Sequence, residues 1–387
     1  MKSLDSLNTV HIASDAILNS IGLSTAEVYE SMKQLRSGSK AVSDYTLSEP
    51  IAMLSCIDKE RFYSIFSTQD MELFSFFEQI QIYVIQEALK NTAIDPSQSD
   101  VLFIFSTTKG NIDLIEPKYM LDEPTEKIFL WNSAKRITTY FRNPNPCITI
   151  SNACISGTQA IIRGAEILKS GKYNHIIVIG ADCISPFVVS GFQSFKALSD
   201  EMCRPFDAYR KGLNIGEGAA AVILSKNIHT KPQIWGGNVT NDANHISGPS
   251  RTGEGLYRGL QKTIQGIDLH EISFINAHGT ATPYNDEMEA IALERAGLQN
   301  IPVNSYKAYF GHTLGAAGIM ETILSARALQ NGEILASLGF EEMGVTTNIN
   351  IQGSFGKSNK PFCIKTASGF GGCNGVLAIK KGGVYGI

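Results

Sequence analysis

The feature that most constrains the fold of this chain is the junction at Cys154, where two kinds of periodicity meet. Residues 147–150 are apolar and β-branched, which predicts a short buried strand. After Gly157, apolar residues recur at three- and four-residue steps, which predicts a helix that ends near Gly171. A cysteine at such a junction lies close to unpaired backbone N–H groups and to the positive end of the helix dipole, and both favour a thiolate. These residues alone leave two interpretations open, a reactive nucleophile and a buried structural cysteine.

Strands and helices are predicted to alternate along the 387 residues, which favours an α/β protein with parallel-rich sheets covered by helices. The predicted strands lie at residues 10–18, 101–105, 147–150, 175–180, 216–225, 272–277, 302–305, 362–366 and 375–380. The predicted helices lie at residues 24–38, 71–91, 157–171, 253–266, 285–297 and 314–330, and residues 40–70 are expected to be irregular. The similar order of elements in the two halves suggests a duplication, and we divide the chain into residues 1–238, with the cysteine, and 239–387.

Composition narrows the class of protein. The net charge of −4 gives no bulk attraction to nucleic acid or to an anionic membrane. No apolar run approaches the ~20 residues that a bilayer requires, and the first residues lack the apolar core of a signal peptide. The seven cysteines form no C-x-x-C pair, which fits a reducing compartment and argues against a zinc knuckle or a disulfide framework. We therefore expect a cytoplasmic protein.

Two histidines lie where predicted strands end. His278 follows the strand at 272–277 and enters a polar turn, and His312 lies between the strand at 302–305 and a glycine-rich helix. Strand ends are the usual place for catalytic groups in α/β proteins. Either histidine alone is best explained as a hydrogen-bonded turn residue, but together with Cys154 they make an acyl-transfer site plausible. A metal site is disfavoured, because no carboxylate or cysteine lies at ligand spacing from them.

The glycine-rich segment at 368–375 also lies beside a predicted strand. It does not match G-x-G-x-x-G, and no strand–helix–acid unit follows it, so a dinucleotide loop is not expected. It suits a turn whose backbone N–H groups face a reacting oxygen.

Five segments, in this order, resemble β-ketoacyl-(acyl carrier protein) synthases of the elongating Cys-His-His type. They are Asn152–Gly157, Ala197–Gly218, Asn276–Asp286, Lys307–Glu321 with its Gly311-His312-Thr-Leu-Gly315-Ala-Ala-Gly318, and Gly369–Gly372. The resemblance implies an α/β thiolase fold, a duplicated five-layer αβαβα arrangement with two mixed sheets. It also implies decarboxylative Claisen condensation of an acyl group on Cys154 with malonyl-acyl carrier protein, in fatty acid, polyketide or aryl polyene-type biosynthesis.

The resemblance assigns roles to particular residues. The backbone N–H groups of Cys154 and Phe370 are expected to form an oxyanion hole. His278 and His312 are expected to hold the malonyl carbonyl as neutral imidazoles that donate Nε2–H. Lys307 is expected to orient the site through Glu321. Thr280 and Thr282 are expected to bind the pantetheine arm of the carrier. Phe370 and Ser368 are expected to line the acyl pocket. Glu321, Asp242 and His245 are expected to support the structure of the site.

The resemblance also predicts partners. We expect acyl carrier protein, with its substrates on phosphopantetheine, and no cofactor or metal bound by the enzyme itself. We expect a homodimer in which the strand near 176–180 pairs across the two-fold axis. Basic residues that could dock an acidic carrier are Lys59, Arg61, Lys135, Arg136 and Arg210.

The sequence departs from the family pattern where Ser368 replaces a common Phe and Cys373 replaces a common Thr. The chain length that the acyl pocket accepts is therefore not carried over. Three alternatives remain: a thiolase that uses Cys154 and Cys373, a non-catalytic partner subunit similar to a chain-length factor, and a lipid binder without chemistry.

Overall fold

The computed structural model describes residues 9–43, 52–66, 72–115, 125–226, 228 and 230–383. The first residue of the helix predicted at 71–91 lies outside these ranges. The strands are β1 (Val10–Asn19), β2 (Lys40–Ala41), β3 (Met53–Ser55), β4 (Val101–Ser106), β5 (Ile148–Ile150), β6 (His175–Asp182), β7 (Ile215–Gly216), β8 (Gly218–Lys226), β9 (Gln233–Asn241), β10 (Ile272–Asn276), β11 (Val303–Asn304), β12 (Glu333–Ile334), β13 (Gly356–Lys357), β14 (Phe362–Gly369) and β15 (Cys373–Lys380).

The helices connect and cover these strands. They are α1 (Thr25–Lys33), α2 (Lys59–Ile65), α3 (Phe76–Leu89), α4 (Leu130–Tyr140), α5 (Ser156–Lys169), α6 (Pro186–Ser194), α7 (Glu254–Thr263), α8 (Pro283–Arg295), α9 (Lys307–Phe310) and α10 (Ala317–Asn331). Short 3-10 helices span Ile112–Ile115, Thr125–Ile128, Leu269–Glu271 and Leu314–Ala316. Among the described residues, no helix is both long enough and apolar enough to cross a membrane.

The two halves of the chain repeat one sheet topology. In the first half the strand order is β1-β8-β6-β4-β5, with antiparallel pairing on both sides of β8 and parallel pairing from β6 to β5. In the second half the order is β9-β15-β14-β10-β11, with the same alternation of antiparallel and parallel pairs. The predicted duplication is thereby confirmed. The division after residue 238 stays a prediction, and that residue lies within β9.

The two half-sheets are joined into one ten-stranded sheet rather than lying fully apart. Val10 and His11 of β1 pair with Ile234 and Gln233 of β9. The pairing extends over only these two positions. The two predicted mixed sheets are therefore present as halves of a continuous sheet.

Two helices lie between the half-sheets, and others cover the outside. One continuous core contains apolar side chains of α5 and α10 together with those of β6, β8 and β15. The aromatic and aliphatic face of α3 covers the outer side of the first half, and α7 and α8 cover that of the second. This gives the five alternating layers expected from the resemblance, with α5 and α10 as the central layer.

The central helices approach each other at glycines. A Cβ atom on Gly318 would lie 2.3 Å from the amide nitrogen of Thr158, and one on Gly157 would lie 2.9 Å from the carbonyl oxygen of Gly315. Only glycine leaves room for this contact. Because α5 follows the cysteine and α10 follows His312, the glycine contact sets how far apart the two segments lie.

Several local predictions need correction. Residues 40–70 were expected to be irregular, but they contain β3 and α2, and α2 is N-capped by Asp58, which accepts from the amide of Arg61. Ser24 caps α1, yet the Glu27 carboxylate accepts from the amide of Leu23 instead of closing a reciprocal capping box. The reciprocal box occurs at Ser75 and Glu78, at the start of α3. Neither β9 nor α6 is among the predicted elements.

The predicted dimer contact through residues 176–180 is wrong. These residues belong to β6, whose two edges pair with β4 and β8 inside the sheet. A strand with both edges bonded has no N–H or C=O groups left for a partner strand. In the part of the chain that the structure describes, the edge strand of the first half-sheet is β5, whose residues are only partly buried.

Candidate active site

Cys154 lies in a tight turn between β5 and α5. The preceding residue, Ala153, has a φ of +44°, a left-handed conformation that a residue with a side chain seldom adopts. Ser156 holds the turn: its hydroxyl accepts from the amide of Asn152 at 2.8 Å and donates to the carbonyl of Ala153 at 2.6 Å. The turn directs the thiol inward, and Cys154 is 9% exposed.

The structure brings the predicted cysteine and both histidines together. One ligand atom from each of Cys154, His278 and His312 lies within 4.8 Å of the other two, and all three side chains are buried. The two imidazole rings lie edge to face, with centroids 5.0 Å apart. Three such atoms could also hold a cation, but no carboxylate of the described residues joins the group. The expected absence of a metal stays a prediction.

The loop before α10 fixes the tautomer of His312. The backbone amide of His312 donates to the carbonyl of Asn214 at 2.7 Å, and its carbonyl accepts from the amide of Gly216 at 3.0 Å. Its Nδ1 accepts from the amide of Leu314 at 3.3 Å, so in a neutral ring the hydrogen is on Nε2. That Nε2 is buried and has no hydrogen-bond partner among the described residues. It is therefore a donor available to a substrate.

A buried carboxylate holds the segment that carries His278. The amide of His278 donates to one oxygen of Glu289 at 2.9 Å, and the amide of Gly279 donates to the other at 2.6 Å. Gly279 has a φ of +43°, and a Cβ there would lie 2.6 Å from the Cβ of Ser305, so only glycine fits. Sequence reasoning missed Glu289. The available signal was an acidic residue on the buried face of the helix that follows the histidine turn.

Behind the histidines is a buried group of opposite charges. Lys307 of α9 forms an ion pair with Glu321 of α10, as predicted, and the two side chains are 0% and 1% exposed. A second lysine, Lys365 of β14, is also fully buried and lies 2.6 Å from the other oxygen of Glu321. Sequence reasoning missed Lys365. Its signal was a charged residue in the middle of the apolar run at 362–367.

Burial shifts the pKa of each reacting group towards its neutral form. Desolvation raises the pKa of the Cys154 thiol to about 12, and the nearby charge of Lys109 opposes this only in part. The expectation that the junction favours a thiolate is therefore wrong for this state of the site. Desolvation, followed by the charge of Lys307, lowers the pKa of His278 and of His312 well below its usual value. Both rings are neutral at pH 7, as expected.

The triad opens into a cavity of about 470 Å³. All of the predicted pocket and pantetheine residues line it, namely Thr280, Thr282, Ser368 and Phe370, as do the predicted support residues Asp242 and His245. The hydroxyls of Thr280 and Thr282 are 2.8 Å apart. Two exposed lysines that the sequence analysis did not single out, Lys196 and Lys211, also line the cavity. Lys307 and Glu321 lie behind the triad instead of at the cavity surface.

Asp242 and Ser368 take part in one polar network beside the cysteine. Asp242 accepts from the amide of Gly255 at 2.8 Å and from the side-chain amide of Asn374 at 3.2 Å. Ser368 donates from its hydroxyl to the other end of Asn374 at 2.8 Å. His245 is different: it is exposed, and its Nδ1 accepts from the amide of Gly248 within its own turn. A polar wall therefore faces the cavity at the position where, by the family pattern, a Phe is common.

Phe370 and Cys154 are carried on segments that touch. A Cβ atom at Gly369 would lie 3.0 Å from the amide nitrogen of Cys154, which shows how closely the glycine-rich turn packs on the cysteine turn. The Phe370 ring is 38% exposed, and it packs against the rings of Phe192 and Phe195 with centroids 5.8 and 5.2 Å away. The two backbone segments predicted to form an oxyanion hole are thus adjacent.

Cys373 does not join the triad. Its thiol donates towards the carbonyls of Phe370 at 3.3 Å and Asn152 at 3.7 Å, and burial raises its pKa to about 11. It is absent from the residues that line the cavity. This geometry does not support Cys373 as the second base of a thiolase.

The predicted carrier-docking residues divide into two groups. Arg61, Arg136 and Arg210 bind Glu27, Glu78 and the carbonyl of Asp207, respectively, within the chain. Arg210 is also mostly buried, with a 9% exposed side chain, so the prediction for it is wrong. Lys59 and Lys135 are exposed, although Lys59 lies 4.4 Å from the ring centroid of Phe76.

Two family models and a curated relative all identify the same protein family. The family model "Beta-ketoacyl synthase, N-terminal domain" matches residues 22–229, and "Beta-ketoacyl synthase, C-terminal domain" matches residues 233–341. The chain is 31% identical to 3-oxoacyl-[acyl-carrier-protein] synthase 2 of Rhizobium meliloti over 62% of this chain. That alignment spans 61% of the length of the relative.

Solved structures agree with this fold. A β-ketoacyl synthase from Burkholderia phymatum matches 97% of this chain and 100% of its own, with a TM-score of 0.87 and 22% identity. A ketosynthase (ApeO) in complex with its chain length factor (ApeC) from Xenorhabdus doucetiae matches 98% of this chain and 100% of its own, with a TM-score of 0.85 and 25% identity. These likenesses confirm the predicted thiolase-type fold.

Proposed function

This chain belongs to the β-ketoacyl synthase family, and we propose that it catalyses decarboxylative condensation of an acyl thioester with a malonyl thioester. The observation that carries the proposal is the convergence of Cys154, His278 and His312 within 4.8 Å. A thiol nucleophile and two imidazole donors that meet at one cavity suit acyl transfer followed by stabilisation of an enolate.

The first step proposed is acyl transfer to Cys154. The sulfur attacks the carbonyl carbon of the incoming thioester, a C–S bond to Cys154 forms, and the bond to the pantetheine sulfur breaks. The thiol proton leaves with the released pantetheine thiol. Since burial raises the pKa of Cys154, we expect deprotonation to accompany attack rather than precede it. We propose that the backbone N–H groups of Cys154 and Phe370 donate hydrogen bonds to the developing oxyanion.

The second step proposed is decarboxylation and condensation. The malonyl carbonyl oxygen accepts hydrogen bonds from His278 and His312, and the C–C bond to the carboxylate breaks to give CO₂ and an enolate. The enolate carbon attacks the acyl carbonyl on Cys154, and the cysteine leaves as a thiolate that takes up a proton. The unpartnered Nε2 of His312 supports this role, because a buried donor without a partner gains most when negative charge develops beside it.

Substrates and partners are part of the same proposal. We propose that the acyl and malonyl groups arrive on the phosphopantetheine of an acyl carrier protein, and that the enzyme binds no cofactor of its own. Thr280 and Thr282 line the cavity where they can bind the amides of the pantetheine arm, and the exposed Lys196 and Lys211 can attract its phosphate. A cytoplasmic location is supported by the seven free cysteines.

We also propose a dimer, with a corrected contact. The outer edge of β5 takes the place of the predicted strand at 176–180, because an exposed strand edge is a ready template for a second chain. Light scattering at twice the mass of one chain would support the homodimer, and a lone chain in solution would contradict it. A non-catalytic partner subunit remains the alternative, but such a subunit has no need of the buried thiol beside two imidazoles.

The test of the proposal is intact-protein mass spectrometry with a panel of acyl-carrier and acyl-coenzyme A thioesters. The wild type should gain the mass of the acyl group, and Cys154→Ala should not. Cys203→Ala is the matched control, since Cys203 is also buried but lies outside the cavity lining. Loading that persists in Cys154→Ala would remove the cysteine from the mechanism, and loading by no donor would favour the partner-subunit alternative.

A further inference from the structure

A second buried cation shares Glu321 with Lys307. The Lys365 ammonium lies 2.6 Å from Oε2 of Glu321, while Lys307 binds Oε1. The three side chains are no more than 1% exposed. A carboxylate can satisfy two cations with its two oxygens, but burying a second ammonium is costly unless it has a further role or further partners.

Lys365 is also connected to the loop of His278 through the neighbouring residue Thr366. Its ammonium donates to the carbonyl of Thr366, and the hydroxyl of Thr366 donates to Oε1 of Glu289 at 2.8 Å. Glu289 accepts from the amide of His278, and the Thr366 hydroxyl lies 3.3 Å from the same amide. A continuous set of hydrogen bonds and ion pairs therefore runs from Lys307 to the backbone of His278.

This set of hydrogen bonds and ion pairs connects the residues that hold His278 with the helix that follows His312. Glu321 belongs to α10, the helix that begins five residues after His312, whereas Glu289 and Thr366 hold His278 from α8 and β14. Lys365 is the side chain that contacts both groups. Two lysines and two glutamates balance in charge, so the set can remain buried without a net charge.

We propose that Lys365 is a positioning residue that links the Lys307–Glu321 pair to the His278 loop and supplies a second positive charge behind the two imidazoles. The inference rests on the proposed function, because it concerns the same histidines. A cation behind a neutral imidazole disfavours protonation of that ring and favours donation of its N–H to an enolate oxygen. Lys365 does not line the cavity, so it acts through the histidines rather than on the substrate.

Other charged groups also lie around the two imidazoles and influence their pKa. The titratable and charged groups placed around them are Lys307 of α9, Lys109 after β4, Glu321 of α10, Glu289 of α8 and Cys154. Lys365 acts on both rings in the same direction as Lys307, and desolvation is the largest cause of their low pKa. Removal of Lys365 should therefore raise the pKa of the histidines without bringing it to the value of an exposed ring.

The experiment is the pH profile of CO₂ release from malonyl-coenzyme A. In Lys365→Met, decarboxylation should fall, and its acidic limb should move to higher pH by about one unit, since loss of a nearby cation lets the histidines protonate at higher pH. Lys365→Gln can keep the hydrogen bond to Thr366 without the charge, and it should show the same shift. Lys360→Met, an exposed residue two positions before β14, is the control and should leave the profile unchanged.

The outcomes separate two kinds of failure. A uniform loss of rate with no shift of the acidic limb would assign Lys365 to the fold alone and overturn the inference. The same holds if neither Lys365→Met nor Lys365→Gln folds, as judged by circular dichroism. If the wild type neither releases CO₂ nor takes up an acyl group, the proposed function itself fails. A wild type that loads and decarboxylates therefore allows Lys365 to be judged separately.

Discussion

The imidazole rings of His278 and His312 lie edge to face, with centroids 5.0 Å apart and planes inclined at 82°. At this separation two imidazolium rings would repel each other, whereas two neutral rings can direct N–H groups at one oxygen. Burial lowers the pKa of both rings, so each is a neutral imidazole with one N–H to donate. Their geometry suits an oxyanion that appears only during the reaction.

The two steps should respond differently to loss of one ring. In His312→Ala we expect CO₂ release from a malonyl thioester to fall by about 10²- to 10³-fold, the range typical of a lost oxyanion donor. Acyl loading of Cys154 should fall by less than about 10-fold, because we propose that backbone amides, and not His312, stabilise its oxyanion. His270→Ala, an exposed histidine, is the control. Equal losses in both steps would mean that His312 supports the fold instead.

Stability should fall on the acid side because of the same two rings. A buried histidine with a lowered pKa stays neutral in the folded state, while the unfolded chain binds a proton below about pH 6.5. The contribution of each buried ring to the free energy of unfolding is thus fully present above that pH. It is lost as the pH falls, by up to about 1.4 kcal/mol per pH unit for each ring.

Denaturant unfolding between pH 7 and pH 5 would measure this loss. The double variant His278→Asn/His312→Asn should have a shallower dependence of unfolding free energy on pH than the wild type. His270→Asn should keep the dependence of the wild type, because His270 is exposed and lies outside the buried pair. Identical slopes in all three proteins would contradict the low pKa of the buried pair.

The thiol of Cys154 should react slowly with alkylating agents at neutral pH. Since burial raises its pKa to about 12, the thiolate fraction should grow about tenfold per pH unit up to at least pH 10. Iodoacetamide labelling, followed peptide by peptide in the mass spectrometer, gives the rate at each pH, and the partly exposed Cys56 serves as an internal reference. A plateau of the Cys154 rate below pH 8 would indicate that the helix terminus stabilises the thiolate after all.

The cavity beside Cys154 should be sensitive to residue 368. In Ser368→Phe, the ring would replace a small hydroxyl that is hydrogen-bonded to Asn374, so we expect a shift of the acyl-loading profile towards shorter chains. Ser368→Ala removes the hydrogen bond without filling space and is the matched control. If Ser368→Phe and Ser368→Ala have the same acyl-loading profile, the side-chain volume at residue 368 does not determine which acyl chain length is accepted.

The sequence could predict the residues that perform chemistry because they lie at strand ends with distinct local patterns. Cys154, His278 and His312 each follow an apolar run and precede a helix, and such positions meet at one edge of a layered α/β fold. Family resemblance then supplied Lys307 and Glu321, whose pairing the structure confirms.

Other features depend on contacts that no local pattern encodes. Lys365 and Glu289 are remote in sequence from the residues that they support, so their roles emerge only when β14 and α8 pack together. The high pKa of Cys154 follows from burial, which overrides the helix dipole considered alone. Likewise, β6 is apolar because it lies inside the sheet, whereas the family resemblance had implied a dimer contact there.

The glycine contact between α5 and α10 has a consequence for how this protein could be divided. The thiol comes from one repeat and both imidazoles from the other, and at Gly157 and Gly318 the backbones of the two repeats are in close contact. Neither repeat carries all three of these side chains. A split gene would therefore yield two fragments that are inactive until they reassociate through the contact between α5 and α10. Turnover by such fragments would depend on their concentration, whereas the covalent link makes assembly of the triad part of folding itself.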